Sequence, residues 1–278
     1  MWLIFAILTA ILWGVSIALL KRSYTSLTPI MGVLIGAVCG LVTLLPFGLI
    51  NQGKLVFWPV IPVATVAAAT YVFYYYVLEK DKAALIATVQ STYALFTVIL
   101  AITFLRESIT LPAQIGIALI IAGLLFLSIG NPKKIRNIKP GAWLWWGLLA
   151  AVLAGSGDFL AKTMVSGFNS YTYMIAFVVG QVIVAIVLLL FDRKHLMPLK
   201  ANRDTFYLIA SELTLFIGYL LFYLAFKDGL ASIVTPITGA YGVVTLFLAL
   251  VWLKEKVTKF QILGAIITIS GVILVGSV

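Results

Sequence analysis

The chain has 278 residues, 63% of them hydrophobic and 10% charged, and a mean hydropathy of +1.16; soluble domains carry about 25% charged residues, so that class is excluded. Its charges are bunched between apolar runs of membrane-spanning length, the pattern of an all-α integral membrane protein. The net charge of +10 belongs to loops that orient such a chain and implies no nucleic acid, and a single cysteine, Cys39, excludes an internal disulfide.

Apolar runs bounded by charges or by Pro and Gly predict ten spans, at 2–20, 29–50, 59–78, 83–105, 111–129, 142–164, 171–191, 205–226, 231–253 and 259–277. The first has no basic leader and no small-residue cleavage site before Lys21, and is expected to be a span rather than a cleavable signal. It carries Trp13 beside Gly14. Span two places Gly32, Gly36 and Gly40 every fourth residue, the small-xxx-small pattern of close helix approach, and holds Cys39 as a buried apolar thiol. Span three puts Tyr71 and Tyr75 on one face, and span four puts Gln90 one turn before Tyr93. Glu107 after Arg106, and Glu255 after Lys254, read as structural ion pairs or as caps of the following turn. Gly116 and Gly123 in span five, and Gly264 and Gly271 in span ten, read as further packing faces. A basic linker, GNPKKIRNIKPG from Gly130 to Gly141, joins spans five and six. His195 lies in a charged loop and is expected to be solvated; no metal or other cofactor is expected. The segment TPITG at Thr235 is expected to kink span nine and free backbone carbonyls. Trp58, Trp143, Trp145, Trp146 and Trp252 fall near span ends, as an interfacial belt would place them.

Loop charge sets the expected orientation. The loops after spans one, three, five, seven and nine hold fifteen Lys and Arg, counting Lys259, against three on the other side, Lys54, Arg106 and Lys227. The positive-inside rule puts the first set in the cytoplasm and both termini outside.

The chain also repeats. At an offset of 148, residues 70–126 align with 218–274 without a gap, and 13 of 57 positions are identical. The matches include Tyr71/Tyr219, Tyr75/Tyr223, Ala83/Ala231, Tyr93/Tyr241, Thr97/Thr245, Glu107/Glu255 and Thr110/Thr258. Earlier spans align at an offset of 141, where Gly14 meets Gly155 and Lys21 meets Lys162. The chain therefore reads as a five-helix unit over 1–130, the linker 131–141, and a second unit over 142–278. An odd number of helices turns the second copy over in the membrane, an architecture of secondary transporters whose substrate site lies near the midplane between the repeats.

The segments LRESITLPAQIGIALIIAG and LKEKVTKFQILGAIITISG, with ILWGVSIALLKR in span one, resemble the EamA repeats of the drug/metabolite transporter superfamily. The resemblance covers essentially the whole chain. It implies that spans one to four and six to nine enclose a central cavity, with five and ten as peripheral scaffolds through which a homodimer forms. Relatives are commonly drawn with cytoplasmic termini, opposite to the loop count. The glycine that often precedes the shared glutamate in the family is Arg106 in one unit and Lys254 in the other.

Polar residues inside spans carry the functional expectations. Asp158, in AGSGDFLAK, lies twelve residues beyond Trp146, about 18 Å along a helix. A charge at that depth costs at least about 2.5–3.5 kcal/mol, so it should face the bundle interior or water. Lys162 at i+4 either neutralises it or snorkels to the interface, leaving Asp158 to take a proton; the expectation is a protonation-linked Asp158 with Lys162 as part-time partner. Glu212, Phe216, Tyr219 and Tyr223 share one face of span eight, an acid capping an aromatic stripe suited to an amine. With Tyr71, Tyr75, Gln90, Tyr93, Tyr241 and Trp13, these residues and Asp158 form the expected substrate lining. One loop His and no Arg inside a span leave nothing with which to build an intramembrane hydrolase, and there is no phosphate-cradling loop for an ATPase. A sugar-phosphate or nucleotide carrier should put several Lys or Arg in its cavity. The expected function is therefore gradient-driven transport of an amine-bearing or zwitterionic metabolite, such as an amino acid, across a plasma or inner membrane, with a lipid-linked flippase or a sugar or nucleotide carrier as alternatives.

Overall fold

Backbone amides in hydrocarbon have no water to bond, so each apolar run satisfies its own as a helix. The computed structural model describes residues 1–24, 26–78, 92–128, 142–252, 254 and 256–277, without the side chains of Tyr71, Phe73, Tyr74, Val77, Leu78, Ser128, Ala142, Trp143, Leu144 and Trp146. Its helices are α1 (Trp2–Ser23), α2 (Pro29–Ile50), α3 (Val60–Leu78), α4 (Tyr93–Phe104), α5 (Leu111–Ser128), α6 (Ala142–Gly167), α7 (Ser170–Phe191), α8 (Arg203–Asp228), α9 (Ala231–Gly239), α10 (Tyr241–Val251) and α11 (Lys259–Gly276). Among the described residues there is no strand. Among the described residues, seven stretches are long and apolar enough to cross a membrane: α1, α2, α7, α8, α11, Gly147–Gly167 of α6, and Ala231–Val251 across α9 and α10.

Local chemistry sets the starts. Pro29 opens α2, where a missing amide hydrogen costs nothing. Asn169 and Asn202 side chains accept from the amides of Thr172 and Thr205, at 2.7 and 2.9 Å, and so cap α7 and α8. Thr258 and Gln261 form a reciprocal capping box on α11. Two predicted spans differ from the observed helices. The beginning of span four lies outside the described residues. Span nine is not one helix kinked at Thr235: α9 runs through Pro236 to Gly239, and α10 begins at Tyr241. Proline removes one rung of the ladder, and the interruption falls about one turn later, at Gly239 and Ala240. His195 is exposed, as expected, and also meets the Asp192 carboxylate at the end of α7. Cys39 is buried in α2. Trp58 and Trp145 are exposed, whereas the side chains of Trp143 and Trp146 are outside the description.

The most extensive helix contacts among the described residues all run between the first and second halves of the chain. The helix α1 packs along α8, α5 along α11, α2 and α3 against α7, α3 and α4 against α6, and α1 against α9 and α10. Glycines make the closest of these possible. A Cβ on Gly14 would stand 2.8 Å from the Tyr241 carbonyl oxygen, and one on Gly155 only 2.5 Å from that of Tyr93. The Thr245 hydroxyl donates to the Gly14 carbonyl at 3.3 Å, and the Thr97 hydroxyl donates to the Gly155 carbonyl at 3.0 Å. Positions aligned in the sequence thus make matching contacts, which accounts for the shared Tyr-x-x-x-Thr. The glycines of α5 and α11 face one another: a Cβ on Gly116 would meet the Gly271 oxygen at 2.9 Å, and one on Gly264 would meet that of Gly123 at 2.6 Å.

Arg106 and Lys254 both adopt left-handed backbone, with φ of 52° and 54°. This is the conformation that glycine, the residue common there in the family, takes without strain. For an L-residue it costs about 1–2 kcal/mol, and glycine's greater freedom when unfolded returns about 0.5–1 kcal/mol of that. Arg106 is exposed, so Arg106→Gly should leave folding intact and stabilise the protein by up to about 1 kcal/mol. The check is the thermal midpoint in detergent; a clear fall would show that the Arg106 side chain matters more than its backbone.

Candidate functional site

A cavity of about 120 Å³, measured at water centres, lies between α1, α3, α4, α6, α7, α8 and α10, enough for several waters or a small solute. From α6 the site takes Asp158, flanked by Gly157 and Ala161. Asp158 Oδ2 has no hydrogen-bond partner, and Thr235 of α9 is the neighbouring side chain able to bond it. Thr235 is itself fully buried with an unpartnered hydroxyl.

Aromatic rings form much of the rest of the wall. Trp13 of α1 makes an edge contact with Tyr219 at 5.1 Å, and its ring lies over Gly218, where a Cβ would come within 2.5 Å of it. Tyr219 packs on Phe177 at 4.9 Å, and Tyr223 packs on Tyr173 at 5.0 Å. Tyr93 of α4 and Tyr241 of α10 enter beside the break between α9 and α10. Five tyrosines, Tyr93, Tyr173, Tyr219, Tyr223 and Tyr241, share the wall with Asp158. Among the described residues, Trp13 Nε1 and the Tyr173 hydroxyl are buried without a partner. Among the described residues, no Lys, Arg or His lines the cavity.

Of the expected lining residues, Trp13, Tyr75, Tyr93, Asp158, Tyr219, Tyr223 and Tyr241 are therefore in the wall. The Tyr71 side chain and Gln90 lie outside the described residues. Glu212 and Phe216 are a correction: neither is in the wall. They point into the slot left by the glycines of α2, where a Cβ on Gly36 would meet Glu212 Oε2 at 2.8 Å and one on Gly40 would meet the Phe216 ring at 2.8 Å. Glu212 is fully buried and accepts a hydrogen bond from the hydroxyl of Tyr75. It thus reaches the cavity only through Tyr75.

Lys162 is the second correction. It does not meet Asp158; its ammonium donates to the carbonyls of Phe226 and Gly229, at 2.6 and 2.8 Å, at the C-terminal end of α8. Bare carbonyls at the negative end of a helix dipole compete well for a cation. Glu107 is the third. It caps no following turn, but accepts from the amides of Ala231 and Ser232, both at 2.9 Å, and from the Ser232 hydroxyl at 2.5 Å, at the start of α9. The sequence reading missed Tyr173, Phe177 and Phe222. For the first two a signal existed: at the offset of 141 they align with Gly32 and Gly36, so one unit carries rings where the other carries glycine.

A solved crystal structure aligns over 97% of this chain and 94% of its own, with a TM-score of 0.80 at 15% identity, a likeness in fold alone. An uncharacterized protein of Methanocaldococcus jannaschii is 33% identical over 128 residues, which are 46% of this chain and 91% of that protein. The profile of the EamA-like transporter family matches residues 1–129 and again 141–277. The chain belongs to the EamA-like transporter family and is a multi-pass membrane transporter of the drug/metabolite transporter superfamily.

Proposed function

We propose that this transporter moves small amine-bearing metabolites by alternating access, with ten spans arranged as two inverted five-helix units around the cavity. The observation that carries the reading is that, among the described residues, the aromatic wall holds one carboxylate, Asp158, and no cationic side chain. An ammonium there gains an ion pair and the π faces of Trp13 and the tyrosines. An amino acid would rest its carboxylate on the Trp13 N–H and the Tyr173 hydroxyl. A phosphorylated cargo would meet Asp158 and no Lys or Arg, the wrong sign of field. The inverted repeat is supported by the matching contacts of Gly14 with Tyr241 and Gly155 with Tyr93. Without cargo, Asp158 takes a proton, which links transport to a proton gradient.

Thermal-shift measurements on purified protein against primary amines, amino acids, neutral sugars and sugar phosphates test the cargo class. Amines and amino acids should stabilise the protein; stabilisation by sugar phosphates alone would reverse the assignment. The loop charges place both termini outside. A fluorescent reporter that matures only in the cytoplasm, fused after Val278, should then stay dark, and a bright signal would invert the topology.

A further inference from the structure

Glu212 is a carboxylate that the cavity wall does not contain. It lies on α8 behind the wall, fully buried, in the slot that Gly36 and Gly40 leave in α2. The Tyr75 hydroxyl donates to its Oε1, while among the described residues its Oε2 meets no donor. The helices packed on α8 bring no cation to it. From α2 comes Cys39, one turn beyond Gly36. From α1 come Ser16, whose hydroxyl bonds that of Ser211 at 3.1 Å, and Tyr24, whose ring meets Tyr75 at 6.3 Å; Lys21 and Arg22 beside it are exposed. From α7 comes Phe177, against Phe216. On α6, Asp158 stands in the cavity, and Lys162 is bonded to the other end of α8, fourteen residues on. The helix α9 carries no titratable residue, and on α8 itself Tyr219 lies two turns beyond Glu212.

An ionised carboxylate held away from water by one donor and no cation is costly, and such a group takes up a proton instead. Packing does not require an acid here. In the other unit the position of Glu212 is held by Ala64 and that of Gly36 by Phe177, so the same place is filled by apolar groups alone. A metal ion would need a shell of oxygens, which one hydroxyl does not supply. We infer that Glu212 is a second proton-carrying site of the transporter, reached from the cavity through Tyr75. Tyr75 belongs to both places, since it stands in the wall and bonds Glu212. A hydronium in the cavity gives its proton to the Tyr75 oxygen as that hydroxyl passes its own proton to Glu212 Oε1, leaving water in the cavity and a neutral acid in the slot. An ammonium bound at Asp158 favours the carboxylate form of Glu212 and sends the proton back by the same route. One cargo cation is then exchanged for two protons, one from each acid. The inference rests on the proton-coupled reading of Asp158, and its test separates the two.

With the membrane potential clamped at zero, each coupled proton multiplies the accumulation of a primary amine in proteoliposomes by about tenfold per pH unit. The wild type should therefore accumulate about 100-fold per pH unit and Glu212→Gln about tenfold. Equal accumulation by the two overturns the second site. Infrared difference spectra after a pH jump need no cargo. They should show a protonated-carboxyl band that is absent from Glu212→Gln and that moves to higher frequency in Tyr75→Phe, where the bond to the acid is gone. Should Glu212→Gln not fold, the Tyr75→Phe shift identifies the band by itself. A pH-jump spectrum without that band would make Glu212 a packing residue of fixed protonation and overturn the inference. If no amine accumulates at all, the cargo reading fails, and the infrared result still decides Glu212.

Discussion

Asp158→Asn should weaken amine binding by about 100-fold or more while leaving the fold intact. Asn keeps the shape and one acceptor oxygen, so the aromatic wall does not move. What is lost is the one carboxylate among the described residues of that wall. Removing one partner of a buried ion pair costs about 3–5 kcal/mol, and every 1.4 kcal/mol is about tenfold in affinity. The same substitution removes the group proposed to take the proton, so on that reading accumulation driven by a pH gradient in proteoliposomes should vanish as well. Titration calorimetry on detergent-purified protein reads the first effect and vesicle uptake the second. Amine affinity within threefold of wild type would remove Asp158 from the cargo site. Because Lys162 is bonded to the end of α8 and not to Asp158, the variant strands no cation, and its melting point should stay near wild type.

Gly264→Val should be the most damaging packing substitution. A Cβ at Gly264 would stand 2.3 Å from the Leu127 amide nitrogen and 2.6 Å from the Gly123 carbonyl oxygen. Both obstacles are backbone, which no rotamer change can clear. Overfilling a packed site costs about 1–3 kcal/mol when side chains can adjust; here α5 and α11 must part, so about 3 kcal/mol or more is expected. Gly167→Ala is the control, since nothing lies within 4 Å of a Cβ there. A melting point for Gly264→Val equal to that of the control would mean that the α5–α11 contact contributes little.

Most span boundaries and the glycine faces were legible in the sequence, because each depends on residues close together in it. Asp158 was legible because an acid amid apolar residues has few places to go. The placements that failed depend on competition between partners distant in sequence. Lys162 is one turn from Asp158 on paper, but the carbonyls of Phe226 and Gly229 lie nearer to its ammonium in space. Glu212 begins an aromatic face, yet Gly36 opens a slot on the other side of it. Glu107 reaches a helix start more than a hundred residues away, which no local capping rule anticipates. Tyr173 and Phe177 were hidden in an aliphatic helix and emerge only by comparison with Gly32 and Gly36.

The crossing of contacts between halves bears on how the protein is made. When the first five spans have left the ribosome, Gly116 and Gly123 of α5 still lack the α11 face they will meet, and α1 lacks α8. Neither half can complete its helix contacts alone, so the early helices must wait in the bilayer, individually inserted, until their counterparts arrive. Packing is therefore finished only once the last helix, α11, has entered the bilayer and met α5.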